Sequence, residues 1–185
     1  MTAKAEQYRE LAAQLRSALA GERDLIANAA NFASMIYHSL PELNWAGFYF
    51  RQGDVLVLGP FQGRLACTRI ALGRGVCGTA AVAARTVVVE NVHEFPGHIA
   101  CDGASNSEIV VPLLQNGQVV GVLDLDSPKF ARFDAEDRAW LELLVREFIT
   151  DGHGHTPQGL MPAVLLPMLR RIDRYLNDRP RKCLR

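Results

Sequence analysis

Residues 108–127, Glu108-Ile109-Val110-Val111-Pro112-Leu113-Leu114-Gln115-Asn116-Gly117-Gln118-Val119-Val120-Gly121-Val122-Leu123-Asp124-Leu125-Asp126-Ser127, decide how this chain folds. Two apolar runs, Glu108 to Leu114 and Val119 to Leu125, flank Asn116-Gly117, a pair suited to the positive backbone angles of a tight β-turn. The segment therefore predicts an antiparallel hairpin. Asp124 and Asp126 stand two residues apart and share one face of their strand. Counting outward from the turn brings Glu108 opposite the Asp124 to Asp126 region, so the three carboxyl groups can converge on one pocket. Val122, Leu123 and Leu125 around them are apolar, which argues for a pocket rather than a wet face, with a metal site as the competing use.

Working upstream, Val87 to Val89 reads as a strand, followed by a long connection to Ser107 that holds Gly, Pro, Asn and two histidines without periodicity. Such loops between well-patterned flanks usually carry function. Cys77 to Ala84 is small and alanine-rich, as a short buried helix would be, and Leu65 to Ala71 makes a short strand before it. Asn44 to Arg51 and Val55 to Leu58 pair across Gly53-Asp54 as a second hairpin. Two amphipathic helices precede them: residues 4–20, with Tyr8, Leu11, Leu15 and Leu19 on one stripe, and Asp24 to Leu40, ending before Pro41. Downstream, Asp134 with Asp137 caps a helix carrying Trp140, Leu141, Leu144, Val145 and Phe148. The order predicts an α+β domain, a central, mainly antiparallel sheet with flanking helices, over residues 1–150. Residues 151–185 read as a linker, an arginine-rich helix from Met161 to Leu176 and a basic tail.

Composition narrows the function. The chain has 185 residues with 20 basic and 20 acidic side chains, so no global field draws it to nucleic acid or to an anionic membrane. Its start lacks the apolar core of a signal peptide, and no apolar run approaches the roughly 20 residues that span a bilayer, so the expected location is the cytoplasm. Thiols stay reduced there, and Cys67, Cys77 and Cys101 are then either buried filler or chemistry. Cys101 lies in a polar loop just upstream of Ser105-Asn106-Ser107-Glu108, a setting that suits a reactive thiolate. His93 and His98 with the cysteines lack any close Cys-x-x-Cys pair, so no metal ligands are assigned. Trp45 and Tyr49 fit either ordinary core or the wall of a pocket, and Cys183 near the basic end reads as incidental.

Six motifs occur in consistent order: Asn44-Trp45-Ala46-Gly47-Phe48-Tyr49, Leu58-Gly59-Pro60-Phe61-Gln62-Gly63, Gly73-Arg74-Gly75-Val76-Cys77-Gly78, Gly97-His98-Ile99-Ala100-Cys101-Asp102, Ser105-Asn106-Ser107-Glu108-Ile109 and Gly121-Val122-Leu123-Asp124-Leu125-Asp126-Ser127. Together they resemble the GAF-domain free methionine-(R)-sulfoxide reductases from about residue 20 to 150. The resemblance implies a GAF-like sheet and reduction of free L-methionine (R)-sulfoxide without a cofactor. It implies Cys101 as the thiol that attacks the sulfoxide and becomes sulfenic acid, Cys67 as its resolving partner in a disulfide recycled by thioredoxin, and Cys77 as a third, secondary cysteine. Glu108, Asp124 and Asp126 match the acidic residues that hold the substrate ammonium and polarise the sulfoxide oxygen. Trp45 and Tyr49 match the wall around the methylthio end. A homodimer follows from the family tendency and the long first helix. The alternative is a GAF module that binds a ligand or senses redox state without turnover.

Overall fold

The structure, a computed structural model, describes residues 2–99 and 103–152. Helix α1 spans Ala3–Leu19, its first turn capped by the Thr2 hydroxyl, which accepts from Ala5 N at 3.0 Å. Helix α2, Leu25–Ser39, starts on the Asp24 carboxylate, which accepts from Ala27 N at 2.8 Å, and stops at extended Leu40 before Pro41. Then follow β1 (Trp45–Gln52), β2 (Val55–Gly63), β3 (Arg69–Ala71), α3 (Gly75–Ala83), β4 (Val87–Val89), a 3-10 turn at Val92–Glu94, β5 (Ser107–Gln115), β6 (Gln118–Ser127) and α4 (Ala135–Gly152). The six strands form one sheet in the order β3-β2-β1-β6-β5-β4, each neighbouring pair antiparallel. This is the expected α+β architecture. No helix among the described residues is long and apolar enough to cross a membrane.

Strand alternation gives the sheet two different faces. Ala46 and Phe48 of β1, Ile109, Val111 and Leu113 of β5, and Leu123 and Leu125 of β6 join one core with α1, α2 and α4. Trp45 and Tyr49, Val110 and Val122 point the other way and meet α3 through Val76, Cys77 and Ala80. One buried carboxylate ties the helical layer together. Asp137 of α4 accepts from the Tyr8 hydroxyl at 2.8 Å, from Lys4 Nζ at 2.8 Å and from Arg132 at 3.1 Å. Its Oδ2 also accepts from Asp134 N at 3.0 Å, while Asp134 Oδ1 accepts from Asp137 N at 3.0 Å, which is the reciprocal cap expected for this helix.

Three boundaries differ from the sequence reading. Strand β2 runs on through Gly59-Pro60 to Gly63, because a bulge opposite Phe48 places both residues between the pairs Tyr49↔Leu58 and Gly47↔Phe61. Strand β3 is shorter than Leu65 to Ala71, since residues 64–68 leave the sheet and expose Leu65 to 87%. Helix α4 continues to Gly152, into the stretch from Asp151 that reads as a linker. The rest of that linker, the helix from Met161 to Leu176, the basic tail and Cys183 lie outside the described residues.

The central hairpin forms around Asn116 and Gly117, both at positive φ, 51° and 76°. Its ladder is not straight. Leu114 pairs with Val119, but Leu113 pairs with Gly121, so Val120 is an extra residue on β6. Without this bulge Glu108 would face Leu125 and lie on the opposite side of the sheet from both aspartates. With it, Glu108 pairs with Asp126.

Candidate active site

Three central strands supply the floor of a cleft. Asp124 lies between Val110 of β5 and Gly47 of β1, and Asp126 between Glu108 and Trp45. Directly paired residues share a face, so Glu108, Asp124, Asp126, Trp45 and Tyr49 project together, away from the helical core. Helix α3 crosses this face and brings Cys77 Sγ to 4.0 Å from Glu108 Oε1. His98, Ile99, Ser105, Ala66 and Leu65 complete the lining.

Burial governs the electrostatics. Glu108 and Asp124 are each only 6% exposed. Burial, reinforced by the charges of Asp124 and Asp126, pushes Glu108 well above the usual carboxylate range. Asp124 is pushed up to about 7 by burial, with hydrogen bonds from the Cys77 thiol and Glu108 pulling the other way. Asp124 Oδ1 is buried without a hydrogen-bond partner among the described residues. Burial and then the neighbouring carboxylates push the Cys77 thiol up as well, which makes it a poor nucleophile. His98 Nε2 stands 3.8 Å from Glu108 Oε2, and burial, then His93, holds the imidazole below its usual range, hence neutral at pH 7.

The aromatic wall is fixed by packing. Trp45 stacks on Tyr49 and Phe61 at centroid distances of 5.9 and 5.5 Å, and its indole N–H donates to the Arg64 carbonyl at 3.1 Å. Gly47 makes room for it: a Cβ there would sit 2.6 Å from Trp45 Cη2 and 2.4 Å from Phe61 Cβ. The Arg64 bond also pins the 64–68 loop, in which Cys67 is half-buried against the same apolar cluster.

The structure thus brings together Trp45, Tyr49, Cys77, Glu108, Asp124 and Asp126, with Cys67 in the adjoining loop. Cys101, the expected nucleophile, lies outside the described residues. Its described neighbours in sequence, Ile99 and Ser105, both line the cleft. His93, weighed with His98 as a metal ligand, instead shares a 2.9 Å hydrogen bond with Asn106. Asn106 in turn donates through its side chain to the Pro128 carbonyl at 2.7 Å, so this polar motif frames the loop as well as adjoining the site. Sequence reasoning assigned no lining role to His98, Ile99 or Ser105, although all three stand in motifs already singled out.

A six-stranded antiparallel sheet with α1, α2 and α4 on one face and a cleft beside α3 on the other is the fold of a GAF domain, and the GAF domain family model matches residues 20–148. The chain is 51% identical to the free methionine-R-sulfoxide reductase of Escherichia coli over 144 residues, 78% of this chain and 87% of that one. Among solved structures, a protein from Burkholderia vietnamiensis described as a GAF sensor is 61% identical, with a TM-score of 0.79 over 82% of this chain and 96% of that one. The free methionine-R-sulfoxide reductase of Neisseria meningitidis, solved with its substrate, is 46% identical, with a TM-score of 0.78 over 82% of this chain and 91% of that one. The chain belongs to the free methionine-R-sulfoxide reductase family of GAF domains.

Proposed function

We propose that the cleft reduces free L-methionine (R)-sulfoxide to methionine, with electrons from protein thiols and then from thioredoxin. The observation that carries this reading is the set of buried Glu108 and Asp124 with half-buried Asp126, facing Trp45 and Tyr49. A sulfoxide oxygen departs only when its growing negative charge is taken up, and a carboxyl group that burial keeps protonated is the donor this requires. Glu108 fits that role. Asp124, with its unpartnered Oδ1, and Asp126 receive the substrate ammonium, and the aromatic pair packs the methylthio end.

The Cys101 thiolate then attacks the sulfoxide sulfur. Proton transfer to the oxygen releases methionine and leaves the oxygen on Cys101 as sulfenic acid. Cys67 condenses with it, water leaves, and the resulting disulfide is reduced by the dithiol of thioredoxin. Cys77 keeps its proton and shapes the floor. No cofactor is needed for this electron balance. A peptide-bound substrate lacks the ammonium and would leave the aspartates unpaired, so the free amino acid is preferred. The same reading gives the cytoplasm as compartment and a homodimer as assembly.

Purified protein with a dithiol reductant, offered each methionine sulfoxide diastereomer separately, tests the proposal. Reduction confined to the R form and abolished by Cys101→Ser is expected. Equal turnover of both forms rejects the pocket assignment, and binding without product supports the sensor reading.

A further inference from the structure

We propose that Cys77, Glu108 and Asp124 form a binding site for a zinc-class divalent cation on the cleft floor, which excludes substrate when occupied. The donors come from three elements, α3, β5 and β6, and their ligand atoms lie within 4.8 Å of one another. On a tetrahedral zinc, with Zn–S about 2.3 Å and Zn–O about 2.1 Å, such donors stand about 3.4–3.6 Å apart. The Cys77 Sγ to Glu108 Oε1 separation of 4.0 Å needs only a small contraction to reach that geometry. A second observation points the same way. Asp124 Oδ1 is buried with no hydrogen-bond partner among the described residues, in a wall of the same cleft. An unfilled carboxylate oxygen calls for a cation, and beside a thiol it calls for one that accepts sulfur.

Donor type sets the selectivity. One sulfur with two carboxylates suits zinc and similar borderline ions, whereas magnesium and calcium take oxygen-only shells of six or more ligands. His98 Nε2, 3.8 Å from Glu108 Oε2, stands at the edge of the cluster, and all four residues line the cleft. The site itself rests on geometry alone; that its occupant displaces substrate rests on the proposed function.

The full-length protein, kept reduced with a phosphine that does not compete for metal as a dithiol does, is titrated with zinc by calorimetry and with cobalt by absorbance. About one zinc per chain is expected, with a thiolate-to-cobalt charge-transfer band retained in Cys67→Ser, Cys101→Ser and Cys183→Ser but lost in Cys77→Ala. Glu108→Gln, which conserves volume and leaves every thiol in place, should weaken zinc binding roughly tenfold or more. The same loss in Cys77→Ala and Glu108→Gln supports the site, and either variant suffices if the other misfolds. No band, a band that survives Cys77→Ala, or undiminished zinc affinity in Glu108→Gln overturns it. Saturating methionine sulfoxide should lower the apparent zinc affinity. Zinc binding indifferent to that substrate overturns the exclusion while leaving the reductase proposal to its own assay.

Discussion

Glu108 shows how a single residue's chemistry is set by its surroundings. It sits beside two other carboxyl groups in a wall that water barely reaches, so ionising it costs more than holding its proton. Replacing it by Gln keeps the shape but removes the transferable proton. We expect Glu108→Gln to lower kcat by about 10²–10⁴-fold, with KM much less affected. A matching rise in KM at unchanged kcat would assign Glu108 to binding instead. Asp124 makes a different prediction, about stability. Its pKa stands near 4 in the unfolded chain and about 7 when folded, so its contribution is fully present below pH 4 and is lost as pH rises through 7. Asp124→Asn should therefore be more stable than the parent at pH 8 than at pH 5, by on the order of a few kcal/mol in the difference. Urea midpoints at the two pH values decide this, and an equal difference at both would remove the burial argument. Asp124 and Asp126 were legible as a same-face pair from alternation alone. The character of Cys77 was not, because nothing in an alanine-rich segment reveals that its thiol ends against carboxyl groups of two distant strands.

At the scale of elements, the helices were the most legible part, since Asp24, Pro41 and Asp134 mark ends in chemistry that acts locally. Strand limits were less so. Gly59 and Pro60 look like breakers, and only pairing with β1 shows that a bulge absorbs them. The convergence of Glu108 with the aspartates was anticipated by counting from the Asn-Gly turn, but the count works only because Val120 is bulged out, a feature that no local signal announced. The buried Asp137 gives a test of how α1 docks on α4. Asp137→Ala removes the acceptor of the buried Tyr8 hydroxyl and one carboxylate from Lys4 and Arg132, which keep Asp134 and Glu42 as partners, and should cost about 1.5–3 kcal/mol in denaturant unfolding. A loss under 1 kcal/mol would make this network decorative. Gly47→Ala probes the other face. The added methyl meets Trp45 and Phe61 at once, so we expect a loss of about 1–3 kcal/mol and a raised KM as the aromatic wall shifts.

For the whole molecule, the proposed cycle calls for the thiols of Cys67 and Cys101 to meet. Cys67 belongs to a segment tied to the wall by the Trp45 to Arg64 bond, so its place is constrained by the substrate pocket itself. Cys67→Ser should permit one reduction per chain with thioredoxin as reductant and recover partly with small thiols. Normal cycling with thioredoxin would show that another thiol resolves the sulfenic acid. The fold class was readable because hairpins and helices follow one another in an order few architectures accommodate. Along β6, Leu123 and Leu125 face the helices while Asp124 and Asp126 face the cleft, so structural duty and chemical duty fall on alternate positions. Such a strand can diverge by halves. Descendants could exchange a catalyst for a receptor by drifting at even-numbered positions alone, their ancestry still written in the odd ones.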